Sequence, residues 1–247
     1  MKIVLTIEAR MTSSRLPGKV LMPALGEQTM LGHMVARLRR IPSVHQIVLA
    51  TTTNATDEAL ASFAGAQGIA CFRGSEDDVM GRVIGAAESA GAELLVETTG
   101  DCPVIDPMIV EQTIQMFLHH QVDYASNSFV RSYPDGMDCQ VYRLETLKRS
   151  ASMTSDPEDR EHVTKHILMN PKLFSRVQLV APPDLWWPEL GLTLDEPKDY
   201  ELLKRIIGYF GKANPYASCG EILHLLRKVH PEWTSINEHV KRTEYAT

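Results

Sequence analysis

Short apolar runs alternate with amphipathic stretches through the first half of the chain, and this alternation restricts the fold more than any other feature. The runs at 2–7, 46–51, 69–72 and 93–98 are short, β-branched and nearly continuous in apolar character, which predicts buried strands. Helical spacing predicts helices between them. One covers 29–40, with Leu31, Met34, Val35 and Leu38 on one face and Pro42 as the stop, and others cover 56–67 and 77–90. Another follows Pro107, where Val110, Ile114, Phe117 and Leu118 keep the period. Such repetition implies a parallel sheet with helices on both faces. Ligands of these sheets gather at the carboxyl ends of the strands, so the loops after Ile7, Phe72 and Thr98 are the ones to read for chemistry.

The second half is less regular. Strands are expected at 123–127, 139–144 and 174–180, and helices at 157–169, 197–210 and 218–229. The stretch 127–138 is rich in Ser, Pro and Gly, as expected of a functional loop. No repeat, low-complexity tract or linker interrupts the chain. A single domain over 1–247 is therefore expected, with a nucleotide-binding half at 1–120 and an acceptor-binding, dimerising half at 121–247.

Charge and composition narrow the partners. A formal net charge of −6 gives no broad basic field, so nucleic acid is not expected as a ligand. The cysteines at 71, 102, 139 and 219 form no C-x-x-C pair and read as reduced thiols. The N-terminal apolar run is too short for a signal peptide, and no stretch approaches a membrane span. The expected address is the cytoplasm.

The first strand leads into Glu8-Ala9-Arg10-Met11-Thr12-Ser13-Ser14-Arg15-Leu16-Pro17-Gly18-Lys19. Arg10, Arg15 and Lys19 are separated by small hydroxylated residues and a Pro-Gly turn, a layout that can neutralise several phosphate oxygens. One phosphate does not need three cations, whereas a triphosphate uses them all. Neither a Walker A loop nor G-x-G-x-x-G is present. The bland alternative is a solvated trio of surface cations, which the position at a strand's carboxyl end disfavours.

The string A-R-M-x-S-x-R-L-P-G-K, with the later motifs at 98–103 and 192–197, resembles the cytidylyltransferases related to CMP-KDO and CMP-sialic acid synthetases, most closely the SpsF-type branch of spore coat polysaccharide synthesis. The resemblance runs from Lys2 to Ile236-Asn237-Glu238-His239. It implies a three-layer α/β/α sandwich with a mostly parallel, Rossmann-like sheet of the nucleotide-diphospho-sugar transferase kind. It also implies CTP as donor, Mg²⁺ as cofactor, and a small acidic sugar or phosphorylated acceptor; the irregular second half suits a homodimer. The branch usually carries Gln where this chain has Glu8, and Gly where it has Thr12. A carboxylate at 8 repels a triphosphate unless it points into the strand or pairs with Arg10.

After the fourth run comes Thr98-Thr99-Gly100-Asp101-Cys102-Pro103, and far downstream Leu192-Thr193-Leu194-Asp195-Glu196-Pro197. Taken singly, Asp101 reads as a turn cap and Asp195 or Asp199 as helix caps. The resemblance makes Asp101 and Asp195 the magnesium ligands, and Mg²⁺ suits one or two carboxylates completed by phosphates and water. Asp106 and Asp199 read as structural. The implied nucleotide contacts are Ala9, Arg10, Ser14, Arg15, Lys19, Arg73, Ser75, Thr99, Gly100 and Asp101, with Ser75 or Asp77 equally able to cap the next helix.

Acceptor candidates are Asn127, Tyr133, Asp135 and Asp138 in the loop, with Arg160 to clamp an anion and His162 to orient or deprotonate an oxygen. His162 and His166 have the i, i+4 spacing of a zinc pair, but without H-E-x-x-H a capped or solvated pair is the better reading. Rival functions are another triphosphate such as GTP or UTP, a metal-dependent glycosyltransferase, and a nucleotide-binding protein without turnover.

Overall fold

The computed structural model describes residues 1–240. Its main sheet has seven strands in the order β5-β4-β1-β6-β8-β7-β9. The strands are β1 (Ile3–Glu8), β4 (Gln46–Thr52), β5 (Ala70–Gly74), β6 (Leu94–Thr99), β7 (Tyr124–Ser126), β8 (Gln140–Arg143) and β9 (Arg176–Gln178). The four strands of the first half pair in parallel, and β1 lies between β4 and β6. β8 runs antiparallel between β6 and β7, and β9 returns parallel to β7.

Both faces are covered. On one, α1 (Met30–Leu38), α2 (Glu58–Gln67) and α4 (Pro107–His119) place Leu31, Met34, Leu38, Leu60, Val110 and Ile114 against Leu5, Ile7, Leu49 and Val96. On the other, α3 (Val79–Ser89), α5 (Leu144–Met153) and α7 (Lys165–Met169) place Met80, Val83, Leu147 and Ile167 against Val4, Val48, Leu95 and Tyr142. A third cluster beside the sheet joins Tyr133, Met137, Leu192 and Leu194 to α8 (Pro197–Phe210) and α9 (Cys219–His224). This is a three-layer α/β/α sandwich. No helix among the described residues is long and apolar enough to cross a membrane.

Local sequence explains the element ends. Thr29 caps α1 by accepting from Gly32 N, Asp78 caps α3 through Gly81 N, and Asp106 caps α4 ahead of Pro107. Three features depart from the sequence expectation. The 157–169 helix is two pieces, α6 (Pro157–Glu161) and α7, because Val163 between them has φ 46° and cannot continue a helix. Helix α5 and the small hairpin β2 (Pro23–Leu25) with β3 (Gln28–Thr29) lie, apart from Leu144 and Thr29, in stretches given no element from sequence. The strand expected at 174–180 keeps only Arg176–Gln178.

Candidate active site

A cleft of about 700 Å³ opens at the carboxyl ends of β1 and β6. The loop 9–19 forms one rim. Gly18 N bonds to Met11 O at 2.9 Å and Met11 N bonds to Asp57 Oδ1 at 2.8 Å, so the loop folds back against β4's end. Lys19 is thereby carried inward and is 9% exposed. The Asp101 turn presses on the same rim. Gly100 N donates to Glu8 O at 2.8 Å, and a Cβ on Gly100 would stand 2.9 Å from that of Ala9, so only glycine allows the approach.

Asp195 arrives from the other half of the chain through one backbone bond, Leu194 N to Asp101 O at 2.8 Å. Its own cap alternative is taken by neighbours: Glu196 and Asp199 form the capping box of α8, and Asp199 accepts from Asp195 N and Glu196 N. Asp195 is left to face the cleft. Lys19 Nζ then bonds to Asp101 Oδ2 at 3.0 Å and Asp195 Oδ1 at 2.9 Å, and Arg15 adds a contact to Asp195 at 2.9 Å. Burial opposes charge at Asp101 and Lys19. Even so, each other's charge, with the Thr99 hydroxyl and Asp195, holds Asp101 below its ordinary pKa and Lys19 above its own.

Two hard carboxylate oxygens converging on one positive group are a fitting donor set for Mg²⁺, with the lysine ammonium standing where cationic charge is needed. Among the described residues no group of three or more His, Cys, Asp or Glu could hold a metal by itself. A Mg²⁺ held by Asp101 and Asp195 would take its remaining ligands from phosphate and water.

Other expected residues divide. Ala9, Arg10, Ser14, Thr99, Asp135, Asp138 and His162 line the cleft. Arg10 bridges to Glu76 at 3.1 Å, and Glu76 also accepts from Thr12 and Asn54, tying the first loop to the one before α3. Arg73 turns away to Thr52 O, Asn54 O and Glu58, and Ser75 caps Asp78 N. Arg160 is a correction to the acceptor reading. Both of its outer nitrogens and Nε are drawn to Asp78, Met80 and Ala151, with Asp78 at 2.5 and 2.8 Å, so no anion clamp faces the cleft. Asn127 (1% exposed) clamps Met137 O and Cys139 N, and Tyr133 (1% exposed) is core. Those two support the loop from behind. His166 bonds to Ser150 and lies edge-on to Phe174, which removes the zinc pair.

Sequence reading did not place Arg82, Glu97 or Gln140, all of which line the cleft, whereas Ser128 and Glu161 fall in the segments it read for the acceptor. Glu97 had a signal: a carboxylate directly after Leu94-Leu95-Val96 is out of character for a buried strand. Arg82, on the buried face of α3 with Met80 and Val83, had the same one.

Residues 4–207 match the Cytidylyltransferase family, and the chain belongs to it. It is 32% identical over 231 residues to the spore coat polysaccharide biosynthesis protein SpsF of Bacillus subtilis, covering 92% of this chain and 94% of that protein. A cytidylyltransferase structure from Leptospira borgpetersenii superposes over 100% of both chains with TM-score 0.89 at 31% identity. The CTP complex of CMP:2-keto-3-deoxy-manno-octonic acid synthetase shares the fold, with TM-score 0.63 at 20% identity, over 85% of this chain and 99% of that one.

Proposed function

We propose that this cytidylyltransferase moves CMP from CTP to a sugar acid, releasing pyrophosphate, in the synthesis of a surface polysaccharide precursor. The observation that carries this reading is the Lys19–Asp101–Asp195 cluster with Arg15 at its edge, which sets two cations and two carboxylates at one end of the cleft. Relatives that align with about half of the chain, from Shewanella amazonensis and Geobacter sulfurreducens, are named for transfer to 8-amino-3,8-dideoxy-manno-octulosonate and 3-deoxy-manno-octulosonate.

In this reading an acceptor oxygen attacks the α-phosphorus, the bond to the bridging oxygen of the β-phosphate breaks, and pyrophosphate leaves. Arg10, Arg15 and Lys19 bind the triphosphate and orient it, which supplies most of the catalysis in such displacements. Asp101 and Asp195 would hold Mg²⁺, whose chemistry here is neutralisation of phosphate charge. The acceptor is assigned to the side of the cleft lined by Ser128, Asp135, Asp138, Gln140, Glu161 and His162, where Asp135 and Asp138 are paired with Arg131. That favours hydroxyl or amino groups of the sugar there, with its carboxylate toward the cationic end. Asp138 is pushed up to about 7 by burial and Asp135, against the pull of Arg131, which suits it to take the acceptor's proton. A homodimer through the second half belongs to the same proposal, since Val130, Met169, Leu173 and Trp186 are exposed there. Sedimentation checks it, and a monomer at assay concentration refutes it.

The test is pyrophosphate release with Mg²⁺, CTP and a panel of sugar acids with and without amino groups. Release with CTP and one acceptor supports the reading; silence with no CTP-induced thermal shift sinks it.

A further inference from the structure

The cleft has a third arm that phosphate binding and acceptor binding do not use. Its lining residues are Ala9 after β1, Val79 at the start of α3 and the bridged pair Arg10 and Glu76, together with Glu8, Glu97 and Arg82. Since the triphosphate belongs at Lys19 and the acceptor beside Asp138, this arm remains for the base of the nucleotide, an assignment that rests on the proposed cytidylyl transfer.

The two carboxyl groups of Glu8 and Glu97 are hydrogen-bonded to each other. Two buried carboxyls in contact do not both ionise, so the pair holds one proton. That proton is used between them. Tyr142 donates to Glu97 Oε2 and Thr6 donates to Glu8 Oε1 at 3.3 Å. What the pair still offers the cleft is oxygen lone pairs and one negative charge. Facing it, Arg82 is 4% exposed, and its Nη1 donates to Ser75 O and Glu76 O. Its Nε is buried with no partner among the described residues. A buried donor in that state calls for an acceptor that the folded chain does not supply.

We propose that Glu8, Glu97 and Arg82 read the base, selecting an aminopyrimidine over an oxopyrimidine. The pair's oxygens accept from a 4-amino group, and Arg82 donates to the ring nitrogen or carbonyl beside it. Uracil presents a carbonyl where the pair has only lone pairs, and is rejected. Glutamine at position 8 would reproduce the protonated acid, since its amide N–H donates to Glu97 and its carbonyl accepts from Thr6. This turns the departure from the branch's usual residue into a pH-dependent version of the same contact.

The charged and titratable groups around the pair are Arg82 from α3, Tyr142 from β8, and Arg10, Asp57 and Glu76 around Arg82. Burial first, and Glu8's proximity to Glu97, raise Glu8, while burial pushes Glu97 up to about 7. The pair therefore keeps its proton at lower pH and loses it as pH rises, when two negative charges confront the nucleotide.

The experiment is calorimetric binding of CTP, UTP and the 4-deamino analogue pyrimidin-2-one riboside triphosphate, each with Mg²⁺, to the wild type, Glu8→Gln and Glu8→Ala. The wild type is expected to prefer CTP over the other two by about tenfold or more, the scale on which an unpaired buried polar group is rejected. Its CTP affinity should fall as the pH rises and the pair loses its proton. Glu8→Gln keeps the preference and flattens the pH dependence, whereas Glu8→Ala loses the preference. A Glu8→Ala protein with an undiminished CTP-to-UTP ratio overturns the proposal, as does Glu8→Gln with the wild-type pH dependence. Should Glu8→Ala not fold, the isosteric Glu8→Gln and the 4-deamino ligand carry the test. A wild type that binds no triphosphate at all instead refutes the nucleotidyl-transfer reading beneath it.

Discussion

Lys19 serves two carboxylates at once, and substitution at either end has a readable sign. Asp101→Asn keeps the volume of the side chain and removes its charge. Turnover is expected to fall by about a hundredfold or more if Asp101 acts on phosphate charge, while the protein stays folded with an unfolding temperature lowered only by loss of the Lys19 ion pair. Pyrophosphate release beside thermal denaturation checks both halves. Asp101 has a folded pKa below its ordinary value, so the stability its ion pair contributes is present above that value. It is lost only as the pH falls through the depressed folded value. Asp138 has the opposite sign. As a carboxyl raised to about 7, it is ionised above that pH, so kcat at saturating CTP should climb through that region. Asp138→Asn should remove the rising limb; a pH–rate profile that keeps it shows another group takes the proton.

At the scale of elements, the cleft depends on two supports far from the chemistry. Gly136 has φ 99°, and a Cβ there would meet Leu192 C and O at 2.7 Å, so the loop bearing Asp135 and Asp138 sits directly on the segment leading to Asp195. Gly136→Ala should destabilise the protein by about 2 kcal/mol or more and depress activity with it, measured by urea denaturation. Arg37, 1% exposed, reaches from α1 to Ile105 O, Pro215 O and Ala217 O, joining the loop before α4 to the approach to α9. Arg37→Met strands three carbonyls and should cost about 3 kcal/mol or more by the same measurement. Supports of this kind explain what the sequence could show. The parallel half was legible because period and turn residues are local, and the loop 9–19 and the Asp101 turn were legible as strings. The break at Val163 and the turning away of Arg160 to Asp78, 82 positions earlier, depend on partners brought together only by folding. Glu97 and Arg82 were visible as polar residues on buried faces, yet nothing local says they meet.

For the whole molecule, a ligand that joins both halves should stabilise them together. Asp101 and Asp195 come from opposite halves, and Lys19 holds them. CTP with Mg²⁺ at about a hundred times its Kd should add about 2.7 kcal/mol, or about 5 to 10 °C in Tm for a chain of this size. Scanning calorimetry should show one transition moving as a unit. Two transitions, with only one responding, would divide the domain.

The bridge of Lys19 and Arg15 onto Asp101 and Asp195 also changes what nucleotide entry is. The cleft is already neutralised from within, so on the proposed reading an arriving metal nucleotide would exchange ions: the carboxylates would turn to the metal, and the freed ammonium and guanidinium to phosphate. Little bare charge is on display beforehand. Association should therefore depend less on added salt than the charge of a triphosphate alone would lead one to expect.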